Sequence, residues 1–144
     1  MALPVPEAGL VICYSYLWQS EHRQGREEGV KDRPCAIILT TKRIDAGTVV
    51  TVVPITHTPP QFSEDAVEIP PATSRRLGLD DARSWVVVSQ VNRFVWPGFD
   101  LRLVQRSAAE RFDFGFLPPS LFREIKERFL ACARAQRMNV VPWA

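Results

Sequence analysis

The sequence predicts a mainly β protein with some α: a small antiparallel barrel or strongly bent sheet, closed by a C-terminal amphipathic helix. Three observations predict it. Short runs rich in β-branched and aromatic residues recur between residues 9 and 96, separated by Gly, Pro and Asp clusters. One later stretch, about 119–136, carries an apolar face at helical spacing. About five strands and a single helix leave a sheet that must bury its faces by curling on itself or by packing under that helix. The 144 residues suit one domain over 1–144, with a short tail at 1–8, and neither repeats nor a linker interrupt it.

"GLVICYSYLW" (Gly9 to Trp18) reads as the first strand. "QSEHRQGREEGVKD" (Gln19 to Asp32) is polar, aperiodic and holds two glycines, so it reads as a long loop. "PCAIILT" is continuously apolar and reads as a central strand. Pro34 has no N–H to donate, so it belongs at that strand's start or at an edge, and it holds Arg33 extended. "GTVVTVVPITHT" (Gly47 to Thr58) follows a turn at 45–47, and Pro54 within it predicts an edge or a bulge. "AVEIPP" is a short strand, and "ATSRRLGLDDAR" is a turn-rich connection with room for one helical turn. "SWVVVSQVNRFVW" (Ser84 to Trp96) reads as one strong strand, and residues 97–119 as a mixed segment. The helix then starts at the Pro118-Pro119 pair. Leu121, Phe122, Ile125, Phe129 and Cys132 form its apolar face, and Glu124–Arg128 is an i,i+4 pair.

The bulk numbers exclude several classes. Hydrophobic residues at 46 % and charged residues at 24 % describe a globular chain. No apolar run approaches the roughly 20 residues of a membrane helix. The start lacks the basic stretch of a secretory signal, so a cytoplasmic location is expected. Cys13, Cys35 and Cys132 sit apart in apolar settings, without CxxC or a histidine pattern, and read as reduced, packed thiols. Gly-rich phosphate loops, HExxH and GxSxG are absent, and no carboxylate pair suggests two-metal chemistry. No cofactor is expected. Net charge is only +2, yet 15 of the 18 cations are arginine, whose planar fork suits phosphate oxygens. Codon composition explains the same bias equally well.

The candidate residues lie at strand ends. Arg33 opens one strand, Thr56 and His57 end another, and Ser89 and Gln90 interrupt a third. The loop before Arg33 carries His22, Arg23, Arg26 and Lys31, a basic segment that fits a nucleic-acid groove. The plain alternative for Arg33 is a solvated strand-end charge. Thr56 and His57 are neighbours, so a regular strand points them to opposite faces.

In this order the motifs resemble the MazF/PemK/Kid family of toxin endoribonucleases. They are a strand from Gly9 and a loop with Glu21 and two glycines, then "RPCAIIL", "VVPITHT", "VEI", "QVNRFVW" and "GFLPPSL" opening the helix. The resemblance covers most of Gly9 to Phe129. It implies an SH3-like barrel, usually a homodimer, and metal-independent cleavage of single-stranded RNA by the substrate's own 2′-hydroxyl. It makes Arg33 and Thr56 the catalytic residues. His22 and His57 are then the candidates for proton transfer, and Arg23, Arg26, Lys31, Ser89 and Gln90 the candidates for RNA contact. It further implies a cognate antitoxin whose acidic disordered tail occupies the groove. Ser89 stands where such proteins commonly carry an acid just before the Gln. This opens two alternatives: a member that binds RNA or protein without cutting, or a CcdB-like poison of a topoisomerase.

Overall fold

The computed structural model describes residues 3–16, 32–45, 47–80, 82–98, 101–104, 111–135 and 138–142. In chain order the elements are β1 (Leu10–Ser15), β2 (Asp32–Arg43), β3 (Gly47–Thr56), a 3₁₀ turn (Ser63–Asp65), β4 (Ala66–Glu68), α1 (Pro71–Leu77), β5 (Trp85–Val87), β6 (Gln90–Val95), β7 (Asp113–Phe116), α2 (Pro119–Arg134) and β8 (Asn139–Pro142). The strands run β4-β5-β3-β2-β1-β7, and β6 joins β3 to β8. Among the described residues every ladder is antiparallel except β6–β8.

β1 is buried at all six positions because both faces of the sheet are covered. Val11 faces a core built with Ala36, Ile38, Val53, Ile55 and the α2 residues Leu121, Ile125 and Cys132. Leu10, Ile12 and Tyr14 face a second core with Cys35, Ile37, Val50, Val52 and Phe94. Two-sided burial is why these strands read as continuous apolar runs and not as alternations. On the second face Tyr14 and Phe94 stack with ring centroids 4.7 Å apart, tying β1 to β6 across the curled sheet.

Four expectations are corrected. The barrel is not closed: among the described residues no ladder joins the β7 edge to β4 or β8. The stretch 84–96 is two strands, broken at Val88-Ser89. The cause lies opposite: β3 pairs β6 through Val49–Val52 and β5 through Ile55–Thr56, and Pro54, with no N–H to give, sits where the partner changes. The terminal segment adds β8, which the sequence reading left out. Arg128 is not spent on Glu124; its Nη1 donates to the carbonyls of Ser63 and Ala66 at 2.8 and 2.9 Å, pinning α2 to the start of β4.

Two proline expectations also give way, Pro34 lying inside β2 and Pro54 inside the interior strand β3, whereas the C-terminal helix, the helical turn and the packed thiols are as expected. α2 starts at Pro119 and buries Leu121, Ile125 and Cys132, with Phe122 and Phe129 partly buried beside them. The one helical turn became α1, ended by Gly78 at φ 76°, a left-handed cap that costs glycine nothing. All three cysteines are buried free thiols.

Candidate active site

The ends of β2 and β3 open on a cavity of about 510 Å³. Asp32, Arg33 and Pro34 come from β2, and Ile55, Thr56, His57 and Thr58 from the end of β3. Gly78, Leu79, Asp80 and Ser84 follow α1, while Cys13, Val104 and Phe114 form the remaining wall. The left-handed cap at Gly78 turns the chain out of α1, its N–H bonding back to Arg75 and that of Leu79 to Ser74, and so delivers Leu79 and Asp80 to the cavity.

Arg33 and Thr56 therefore share one cavity, although 22 intervening residues separate them. The β2–β3 ladder brings them together, with Cys35 opposite Pro54. Arg33 is half-buried. It pairs with Tyr14 across the ladder, and its charge reaches inward. Burial pushes the Cys35 thiol and the Tyr16 phenol well up, and the Arg33 guanidinium opposes both shifts. Thr56 is the last residue of β3; its Oγ1 accepts the N–H of Thr58 at 3.2 Å, which leaves the hydroxyl proton free to donate elsewhere.

His57 lines the same cavity as Thr56 because the strand, and with it the alternation of faces, ends at Thr56. Its ring is held at both nitrogens. Nδ1 is 2.9 Å from the carbonyl oxygen of Arg83, and Nε2 is 2.8 Å from Oδ2 of Asp80. Both partners are acceptors, so which ring nitrogen donates depends on the tautomer. The Asp80 carboxylate is itself anchored, Oδ1 accepting the N–H of Ala82 at 3.1 Å. Arg83 extends the network with two bonds to Glu68, 2.7 and 2.9 Å, and stacks over Trp85 at 5.0 Å. These bonds hold the Glu68 carboxyl below the usual carboxylate range. The rear of the cavity is apolar: burial chiefly, and the Asp32 carboxylate next, push the Cys13 thiol up to about 11.

Ser89 and Gln90 lie elsewhere. Ser89 is buried in the turn between β5 and β6, its carbonyl accepting the N–H of Asn139, and Gln90 pairs with β8. Neither lines the cavity. His22, Arg23, Arg26 and Lys31 fall outside the described residues. Sequence reasoning missed Asp32, Asp80, Arg83 and Phe114. The glycine stop before Asp80 was a usable signal for its loop, but Phe114 comes from a segment with no clear period. No group of three or more His, Cys, Asp or Glu side chains is poised for a metal ion among the described residues.

Comparison with known proteins fits this geometry. No curated protein sequence matches the chain. Among solved structures, the MazE–MazF complex (Form-III) from Deinococcus radiodurans contains a chain matching at a TM-score of 0.53 and 15 % identity, over 94 % of this chain and 100 % of that one. That identity speaks for the fold alone. The profile of the PemK-like, MazF-like toxins of type II toxin–antitoxin systems matches residues 16–130, most of the sequence, and the chain belongs to that family.

Proposed function

We propose that this protein is the toxin of a type II toxin–antitoxin pair and cleaves single-stranded RNA without a metal at the cavity between β2 and β3. The observation that carries the reading is the convergence of Arg33 and Thr56 on one cavity. The substrate's 2′-oxygen attacks the adjacent phosphorus as the P–O5′ bond breaks, giving a 2′,3′-cyclic phosphate and a 5′-hydroxyl. Negative charge gathers on the phosphoryl oxygens. A guanidinium fork and a hydroxyl donor stabilise that charge where it develops. The protein supplies no nucleophile, in keeping with cysteines that are buried.

Proton transfer falls less evenly on the two histidines. Arginine stays protonated and cannot accept. His57 has both ring nitrogens occupied by Arg83 and Asp80, so its part is to hold these two residues against the end of β3. We therefore assign acceptance of the 2′-proton to His22, with Arg23, Arg26 and Lys31 guiding the strand's backbone. Ser89 does not argue for an inactive member, because its buried turn lies off the cavity. Retention of Arg33 and Thr56 on one wall favours RNA cleavage over topoisomerase poisoning. The acting form is a homodimer held in check by an antitoxin with an acidic tail.

The test is a long single-stranded RNA incubated with purified protein and EDTA, with both product ends mapped. Cleavage leaving cyclic phosphate and 5′-hydroxyl ends supports the reading. Intact RNA, or activity lost only on chelation, refutes it. High salt should weaken RNA and antitoxin binding together if both use the same cations.

A further inference from the structure

The cavity is larger than a phosphate requires, and its lining is of two kinds. Arg33, Thr56 and His57 gather at the strand ends, whereas Pro34, Leu79, Val104 and Phe114 supply apolar surface. Val104 and Phe114 come from the two ends of the segment after β6. The N–H of Val104 bonds to Arg111 at 2.7 Å, and those of Arg102 and Cys13 bond to Cys13 and Phe112, which fastens both ends against β1. A volume of about 510 Å³ with one aromatic and several aliphatic walls suits a flat ring beside the phosphate site. Single-stranded RNA is read in this way, with splayed bases stacked on side chains and bonded at their edges.

Two carboxylates line the cavity, and Asp32 is the less engaged of the two. Asp80 is committed through both oxygens, Oδ1 to Ala82 and Oδ2 to His57. Among the described residues Asp32 has one loose side-chain contact, Oδ1 to Nε of Arg102 at 3.7 Å, and its side chain is 39 % exposed. An ionised carboxylate only accepts. The Watson–Crick edge of guanine alone presents two adjacent donors, N1–H and N2–H₂. Adenine and cytosine each set a ring-nitrogen acceptor beside their amino group, and uracil flanks its single N–H with two carbonyl oxygens. We propose that Asp32 is a specificity-determining residue, selecting guanine in a slot whose apolar wall includes Phe114. The proposal rests on the reading of this cavity as an RNA site and names the base that it takes.

The experiment titrates the four nucleoside 3′-monophosphates into the full-length protein, followed by amide chemical shifts, for the parent, Asp32→Asn and Phe114→Ala. Guanosine 3′-phosphate should bind about tenfold or more tightly than the other three, the scale of a good bidentate base contact. Asp32→Asn should erase that preference and leave the remaining three affinities alike. Phe114→Ala should weaken all four, since stacking tolerates any base. Equal binding of the four, no binding of any at millimolar concentration, or a preference that survives Asp32→Asn overturns the proposal. Mononucleotide binding needs no turnover, so the two readings fail separately. A guanine preference with intact RNA refutes the nuclease alone, and RNA cleavage indifferent to neighbouring guanine refutes the slot alone.

Discussion

Nε2 of His57 and Oδ2 of Asp80 meet at 2.8 Å across 23 residues of sequence, and this contact joins the end of β3 to the loop that follows α1. Both side chains are well exposed, 49 % and 38 %, so solvent screens the charge and the pair is a clamp more than a source of stability. A double-mutant cycle of His57→Ala and Asp80→Ala should give a coupling of about 0.2–1 kcal/mol in urea unfolding. Asp80→Asn keeps the shape and should shift unfolding little. A coupling of zero would show that the two side chains do not hold the loop.

Arg33→Ala should lower the cleavage rate by about 10²–10³, the scale of one lost transition-state donor. Arg33→Lys should rescue poorly, because a point charge replaces the fork. Thr56→Val should slow cleavage with little loss of RNA affinity, being close in shape. Rates and affinities are to be measured on the same folded variants. An Arg33→Ala protein that cuts at the parent rate would reduce Arg33 to a surface charge.

The buried thiols set an alkaline limit. The Cys13 thiol is raised from 9.0 to about 11, chiefly by burial, and the Cys35 thiol is raised as well. Between pH 9 and pH 11 the native state therefore keeps a proton that the unfolded chain has lost. Stability is undiminished below pH 9 and falls as pH rises through that window. Urea midpoints at pH 8 and pH 10.5 check the sign. At pH 8 the native protein should resist thiol reagents at Cys13, Cys35 and Cys132, and all three should react once it is unfolded.

Arg128 anchors α2 through two backbone carbonyls, and Glu124 is not its partner. Arg128→Ala should cost about 1–3 kcal/mol, since hydrogen bonds to a charged donor are the stronger kind. Glu124→Ala should lie within about 0.5 kcal/mol of the parent, as for an ordinary surface change. Equal effects from the two variants would restore the i,i+4 pair as the dominant contact.

Ser89→Asp tests whether an acid before Gln90 matters in this chain. Ser89 is 8 % exposed in the β5–β6 turn, off the cavity. The carboxylate should cost about 1–3 kcal/mol as a buried, poorly matched acceptor, without raising the cleavage rate. A faster enzyme would mean that residue 89 reaches the phosphate in the assembled form.

Local chemistry determined a good deal by itself. Apolar runs marked β1, β2, β3 and β4, and a 3.6-residue period marked α2 to within a turn; the prolines misled, since Pro34 lies inside the central strand β2, already paired from Asp32, and Pro54 inside β3, which has neighbours on both sides. Arg33 and Thr56 stood at strand ends, but local chemistry left them an ordinary charge and an ordinary β-former; the family resemblance singled them out. Tertiary structure decided the rest, because those outcomes depend on which distant backbone lies opposite. The break at Val88-Ser89 answers to Pro54 on a neighbouring strand, and the sheet stays open because ladder closure depends on strand order, which no local pattern encodes. Asp80 is bonded to His57, and Arg128 to Ser63 and Ala66, only once the chain has folded back; their spacing in sequence pointed to no partner or to the wrong one. Asp32 read as the end of a polar loop, and Phe114 as part of a segment without period. The fold set both on the cavity that Arg33 and Thr56 share.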